Sequence, residues 1–268
     1  MNKINKFLWF VTRPEYYSIL FEIFKNKFFF LKKENSLNIC KKKCISDQNF
    51  RKIFLIKLKK FNINEIIDLK KSFEIIKKNS KMLRVAQNFG NKRIIFNKKN
   101  FVSKSGASNI SIIYEIIRRK KPKNILETGV AYGWSSYVIL LGILHNKIGK
   151  LISVDLPYPL LNEKKNIGIL VPKHLRRNWT LIFDKDYNGI KKAIKKFNLK
   201  IDLFHYDSDK NYSAKLRNLF LVWKHLSKDG IIICDDINDN FAFFHFVENI
   251  KKKYYVFKKN NKYIGILV

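Results

Sequence analysis

From about Gly106 onward, short apolar runs alternate with amphipathic helical stretches, and this alternation limits the fold more than any other feature of the chain. The apolar runs are too short to be buried helices and are rich in Ile, Leu and Val, so they are predicted strands. They cover Asn124–Glu127, Leu151–Asp155, Trp179–Phe183, Ile201–Tyr206 and Ile231–Cys234. Helices are predicted over Ala107–Lys120, Trp134–Leu144, Tyr187–Phe197, Ser213–Leu226 and Phe241–Lys251. Strands separated by helices pair in parallel, with helices covering both faces of the sheet. Two last runs, Tyr254–Lys258 and Tyr263–Val268, flank Lys259-Asn260-Asn261-Lys262 and are predicted to form an antiparallel hairpin. The fold class is α/β.

The region before residue 80 has a different texture. Thr12-Arg13-Pro14-Glu15 has the form of a capping box with an early proline, and it opens an aromatic, basic stretch from Tyr16 to Phe30. Further helices are predicted over Asp47–Lys60 and Ile63–Asn79. This gives a basic, helical N-terminal region over 1–79, with no low-complexity linker after it. Charge matters here, because the whole chain carries a formal +34 and its first hundred residues hold 25 basic against 7 acidic side chains. Such a field attracts nucleic acid or anionic lipid. Yet the excess is nearly all lysine, alongside abundant Asn, Ile and Phe, whose codons are all A/T-rich, and lysine is the poorer residue for bidentate recognition. A nucleic-acid partner is therefore allowed but not favoured. Cys40, Cys44 and Cys234 make neither a disulfide framework nor a zinc motif, and a reduced cytoplasmic setting is expected. No apolar run is long enough to span a membrane. The sequence leaves a homo-oligomer open.

The first predicted strand runs into Glu127-Thr128-Gly129-Val130-Ala131-Tyr132-Gly133-Trp134-Ser135 and then a helix. Gly129 allows a sharp exit from the strand, and Gly133 lets a ligand approach the backbone at the helix start. A helix N-terminus offers N–H groups and partial positive charge to a carboxylate or phosphate, and Ser135 adds a hydroxyl. Asp155, at the end of the second strand, stands where an acid holds ribose hydroxyls. The loop lacks the G-x-G-x-x-G dinucleotide spacing, and there is no G-x-x-x-x-G-K-[ST] phosphate loop.

The pattern E-x-G-x-x-x-G-[WY]-S resembles motif I of class I S-adenosylmethionine-dependent methyltransferases. The stretches Ile167–Pro172, Leu175-Arg176 and Trp179–Ile182 are similar to methyltransferase domain 24 proteins, and the resemblance spans roughly 80–268. It implies a Rossmann-like sheet of seven strands, mostly parallel with the last antiparallel. It also implies S-adenosylmethionine as cofactor, with Glu127, Gly129, Gly133 and Ser135 at the loop and Asp155 on the ribose. At Phe183-Asp184-Lys185-Asp186 the sequence departs from the usual glycine and acid, which leaves the adenine contact open.

Acids are scarce in this chain, so their clustering is informative. Asp207 follows the fourth strand, and Asp235 and Asp236 end the fifth. Carboxylates converging at one sheet edge repel, and a divalent cation with oxygen ligands, such as Mg²⁺, is a natural neutraliser. The spacing resembles cation-dependent O-methyltransferases, which implies Asp207, Asp235 and Asp236 as metal ligands and Lys210 as general base. Close positive charge would bring the Lys210 pKa toward neutrality. Asp209 and Asp239 are expected to face solvent, and His205 to be a core residue. After the fourth strand His205-Tyr206-Asp207-Ser208 lacks the [DN]-P-P-[FYW] of amino-group methyltransferases. The expected activity is methyl transfer to a hydroxyl of a small-molecule acceptor, a sugar or secondary metabolite. Two alternatives stay open: an RNA methyltransferase using the basic N-terminal region, and a non-catalytic binding module.

Overall fold

The computed structural model describes residues 75, 110–156, 164, 167–237, 239–259 and 262–268. The expected N-terminal helices, the boundary at residue 80, Cys40 and Cys44 lie outside the described residues. Elements run in the order α1 (Ile110–Lys120), β1 (Asn124–Thr128), α2 (Trp134–Asn146), β2 (Lys150–Asp155), a 3-10 helix (Lys173–Asn178) and β3 (Trp179–Phe183). They continue with α3 (Asp186–Phe197), β4 (Ile201–Tyr206), α4 (Tyr212–Trp223), β5 (Leu226–Cys234), α5 (Ala242–Ile250), β6 (Tyr254–Lys259) and β7 (Lys262–Leu267).

The strands form one seven-stranded sheet in the order β3-β2-β1-β4-β5-β7-β6. Pairing is parallel from β3 to β5, and β7 runs antiparallel to both β5 and β6. The chain starts at β1, builds outward to β3, then returns to add β4 and β5 on the other side. Strand order therefore reverses between β1 and β4, and the crevice at their carboxyl ends is where open α/β sheets bind ligands.

Every residue of β1 is buried, as a central parallel strand covered on both faces requires. Helix α2 is apolar nearly all round because it packs on both the sheet and α1. Val138, Ile139 and Leu140 join Ile113 and Ile117 in one core cluster. Helix α4 stops at Trp223, short of the predicted Leu226. Leu226 already pairs with Ile201 as the first residue of β5, and the polar Ser227-Lys228-Asp229 that reads as a loop is carried within an irregular strand. Among the described residues, no helix is long and apolar enough to cross a membrane. Cys234 is a buried free thiol.

Candidate functional site

The glycine loop leaves β1 at the point of strand reversal. Gly129 has φ +82°, a region costly for side-chain-bearing residues, and a Cβ there would lie 2.0 Å from the carbonyl oxygen of Asp207. The Asp207 N–H in turn donates to the Thr128 carbonyl at 3.0 Å. The glycine loop and the loop after β4 are thus in direct backbone contact. Gly133 has φ +92° and starts α2, but the space a side chain would fill is taken by the backbone of Gly168, 2.9 Å from the Cβ position. Packing against residues 167–171 therefore needs this glycine, whether or not a ligand approaches it. Gly168 and Leu170 donate backbone hydrogen bonds to Ala131 and Tyr132, so this segment is fastened along the loop.

Asp155 supports the loop directly. Its Oδ2 accepts from the N–H groups of Val130 and Ala131 at 3.0 and 2.7 Å. Burial pushes its pKa up to about 6 against these hydrogen bonds, which favour the charged form. Asp186, which opens α3, accepts from Ser208 Oγ at 2.5 Å, and Ser208 Oγ also lies 2.9 Å from Thr128 Oγ1. Burial raises the Asp186 pKa as well. Asp184 instead pairs with Lys192 at 2.6 Å. Of the two acids in the segment left open for adenine, Asp186 is the one whose carboxylate meets the loop after β4, while Asp184 reaches β2 through its backbone N–H to the Asp155 carbonyl.

Glu127 is fully buried beneath the loop. Its Oε2 accepts from Ser136 Oγ at 2.5 Å and Ser153 Oγ at 2.7 Å, and Trp179 Nε1 donates to Ser153 at 2.8 Å. Its Oε1 lies 3.5 Å from His205 Nδ1 on the neighbouring strand, an ion-pair distance without a hydrogen bond. Burial would raise the Glu127 pKa, but His205, Ser135 and Ser136 outweigh it and hold the carboxyl low; the same pairing raises that of His205. Glu127 and His205 thus form a buried pair under the crevice, each favouring the charged form of the other. The motif pointed to Glu127 and Ser135; it missed Ser136, Ser153 and Trp179, whose hydroxyl and indole types were the available signal.

Lys210 sits between two of the three expected metal ligands. Its Nζ is 2.6 Å from Asp207 Oδ1 and 2.8 Å from Asp236 Oδ2. Asp235 is almost wholly buried, accepts the Asp236 N–H at 3.0 Å, and has its pKa pushed up to about 6 by burial and by Asp207 and Asp236. Among the described residues no three His, Cys, Asp or Glu side chains gather as a group that could hold a metal ion. Asp207, Asp235 and Asp236 do not fit a cation centre in this arrangement, because the Lys210 ammonium holds the place between Asp207 and Asp236 that a bridging cation would take and offsets part of their charge. Partial burial works against the Lys210 ammonium, but its two carboxylates outweigh this and raise its pKa. Asn240 Nδ2 donates to the Lys210 carbonyl at 2.8 Å, joining the loop after β4 to the one after β5. Asp209 and Asp239 are exposed, and His205 is buried, as expected.

Residues 126–237 match a family described as Methyltransferase domain. No curated protein matches the sequence. A Podospora anserina methyltransferase solved with S-adenosylhomocysteine is similar in fold, with TM-score 0.51 and 16% identity over 70% of this chain and 87% of that one. A Staphylococcus aureus protein described as a caffeoyl-CoA O-methyltransferase gives TM-score 0.51 and 16% identity, covering 75% of this chain and 99% of that one. The O-methyltransferase TomG of Streptomyces achromogenes, in complex with S-adenosylmethionine, gives TM-score 0.52 and 10% identity over 70% of this chain and 90% of that one.

Proposed function

We propose that this chain, a class I S-adenosylmethionine-dependent methyltransferase, methylates a hydroxyl group of a small molecule. One observation carries the reading: the glycine loop and the Lys210 cluster are in backbone contact through Gly129 and Asp207. A methyl donor on the first and an acceptor oxygen at the second would be neighbours. The O-methyl chemistry given for two proteins of similar fold supports it.

The donor chemistry of the crevice suits the cofactor. The N-terminus of α2 favours its carboxylate, and the acids at the end of β2 and the start of α3, Asp155 and Asp186, suit hydroxyl and amino donors. Glu127 would act from beneath, by holding the loop through Ser135 and Ser136, and Gly129 and Gly133 set its course. When bound, the cofactor supplies an electrophilic methyl group on a sulfonium. Lys210 would place the acceptor hydroxyl in line with it, and its ammonium would stabilise the oxygen as negative charge develops. Asp207, the more exposed of its two carboxylate partners at 32% against 15% for Asp236, would take the hydroxyl proton. A divalent cation would have to displace the ammonium from Asp207 and Asp236, so no step is assigned to one.

Calorimetric titration with S-adenosylmethionine, followed by transfer of labelled methyl groups to a panel of phenols, catechols and sugars with and without chelator, tests the reading. Binding and transfer to a hydroxyl that survives chelation is the expected result. Absence of binding overturns the enzyme reading, and loss of transfer on chelation restores the cation.

A further inference from the structure

Helix α4 buries a lysine that the proposed chemistry does not use. Lys215 is 0% exposed, yet its ammonium meets two backbone carbonyls and no carboxylate among the described residues. Nζ donates to the Asp236 oxygen at 3.0 Å and approaches the Asp235 oxygen at 3.4 Å, and it lies 5.8 Å from the centre of the Tyr206 ring. A buried ammonium with only neutral partners is expensive, and a methionine would fill the same space without that penalty. Its position rather than its packing therefore needs a reason.

The reason lies in the backbone it grips. Asp236 has φ +49°, a left-handed conformation that costs energy in any residue with a side chain. This is the conformation in which the Asp236 carboxylate reaches Lys210 Nζ at 2.8 Å. We infer that Lys215 is a positioning residue: by binding the carbonyls of Asp235 and Asp236 it fixes the turn after β5 and aims the Asp236 carboxylate at Lys210. Two ammonium groups thus hold one aspartate, one by its backbone and one by its side chain. The catalytic meaning of this arrangement rests on the role of Lys210 proposed above; the arrangement itself does not.

The test is site-resolved lysine labelling. The full chain is treated with limiting formaldehyde and cyanoborohydride, and dimethylation of each lysine is followed by peptide mass spectrometry. In Lys215→Met, Lys210 should label faster by about tenfold, as expected when one charge-assisted hydrogen bond is lost. The exposed Lys191 and Lys228 should be unchanged. Asp236→Asn, which keeps a residue tolerant of the left-handed turn, should give the same rise, and combining the two should add nothing further. Lys215→Gln serves if the methionine variant does not fold. An unchanged Lys210 rate, a rise shared by all lysines, or multiplied effects in the double variant would overturn the inference. Because the readout needs neither cofactor nor acceptor, it stands apart from failure of S-adenosylmethionine to bind.

Discussion

Glu127 on β1 and His205 on β4 are register partners across the strand reversal, with Oε1 and Nδ1 3.5 Å apart and side chains 0% and 1% exposed. Removing one member leaves the other buried without its counter-charge. Glu127→Gln keeps the shape and acceptor for Ser136 and Ser153 but should destabilise the protein by about 3 kcal/mol. Urea unfolding at neutral pH measures this. A double variant, Glu127→Gln with His205→Gln, should recover part of the loss.

The same pair sets a pH window. His205 has a raised pKa in the folded state, so its contribution is full below about 6.5 and is lost as pH rises through the raised value. Glu127 has a lowered pKa, so its contribution is present above about 4.5 and is lost as pH falls through the lowered value. His205→Gln should flatten the alkaline limb of a stability–pH profile.

Asp155 behaves in the opposite sense. With its pKa raised to about 6, the folded state holds a proton that the unfolded chain releases near the ordinary carboxyl value. Its effect is to reduce stability as pH rises from about 4 to about 6, with no further change above. Asp155→Asn still accepts from Val130 and Ala131, so it should remove that slope without loosening the loop. If Asp155 also holds the ribose, calorimetry should show weaker S-adenosylmethionine binding by about tenfold.

Lys210→Met should leave cofactor affinity within a factor of about two while lowering turnover by about 100-fold, the scale of losing one preorganised charge. It should also leave Asp207 and Asp236 without their ammonium. Mg²⁺ should then bind more tightly to the variant than to the parent, as titration calorimetry would show. Equal Mg²⁺ affinity in both would mean that the lysine does not compete for the site.

Gly129→Ala places a methyl group against the Asp207 carbonyl in a backbone conformation unsuited to alanine. The conformation alone costs about 1–3 kcal/mol, and relieving the clash must part the two loops. Thermal unfolding should show the loss of stability, and cofactor binding should fall with it.

Much of the sheet was legible because central strands must be apolar on both faces. Leu151–Asp155 and Ile201–Tyr206, both interior to the sheet, fall where the sequence places them. The end of α4 was not legible, since Ser227-Lys228-Asp229 is polar and belongs to β5 only because Leu226 and Ile231 on either side of it pair with β4. Among candidate site residues, Glu127, Gly129 and Gly133 were singled out by the motif, and the structure gathers them at the turn after β1. The serines beneath them were not, because a buried hydroxyl acquires its role from a partner distant in sequence: Ser153 meets Glu127 across 26 residues. Lys215 was hidden for another reason. In a chain so rich in lysine, one more on a helix carries no signal until its burial is known.

Strand β7 lies between β5 and β6, and among the described residues β6 touches no other strand of the sheet. Synthesis nevertheless delivers β6 first. In the folded sheet Tyr254–Lys259 is joined only through Lys262–Leu267, which pairs in turn with Ile232, Ile233 and Cys234. β7 thereby covers the edge of β5 immediately beside the turn that carries Asp235 and Asp236. Loosening β7 would therefore uncover the strand end from which the Asp235–Asp236 turn departs.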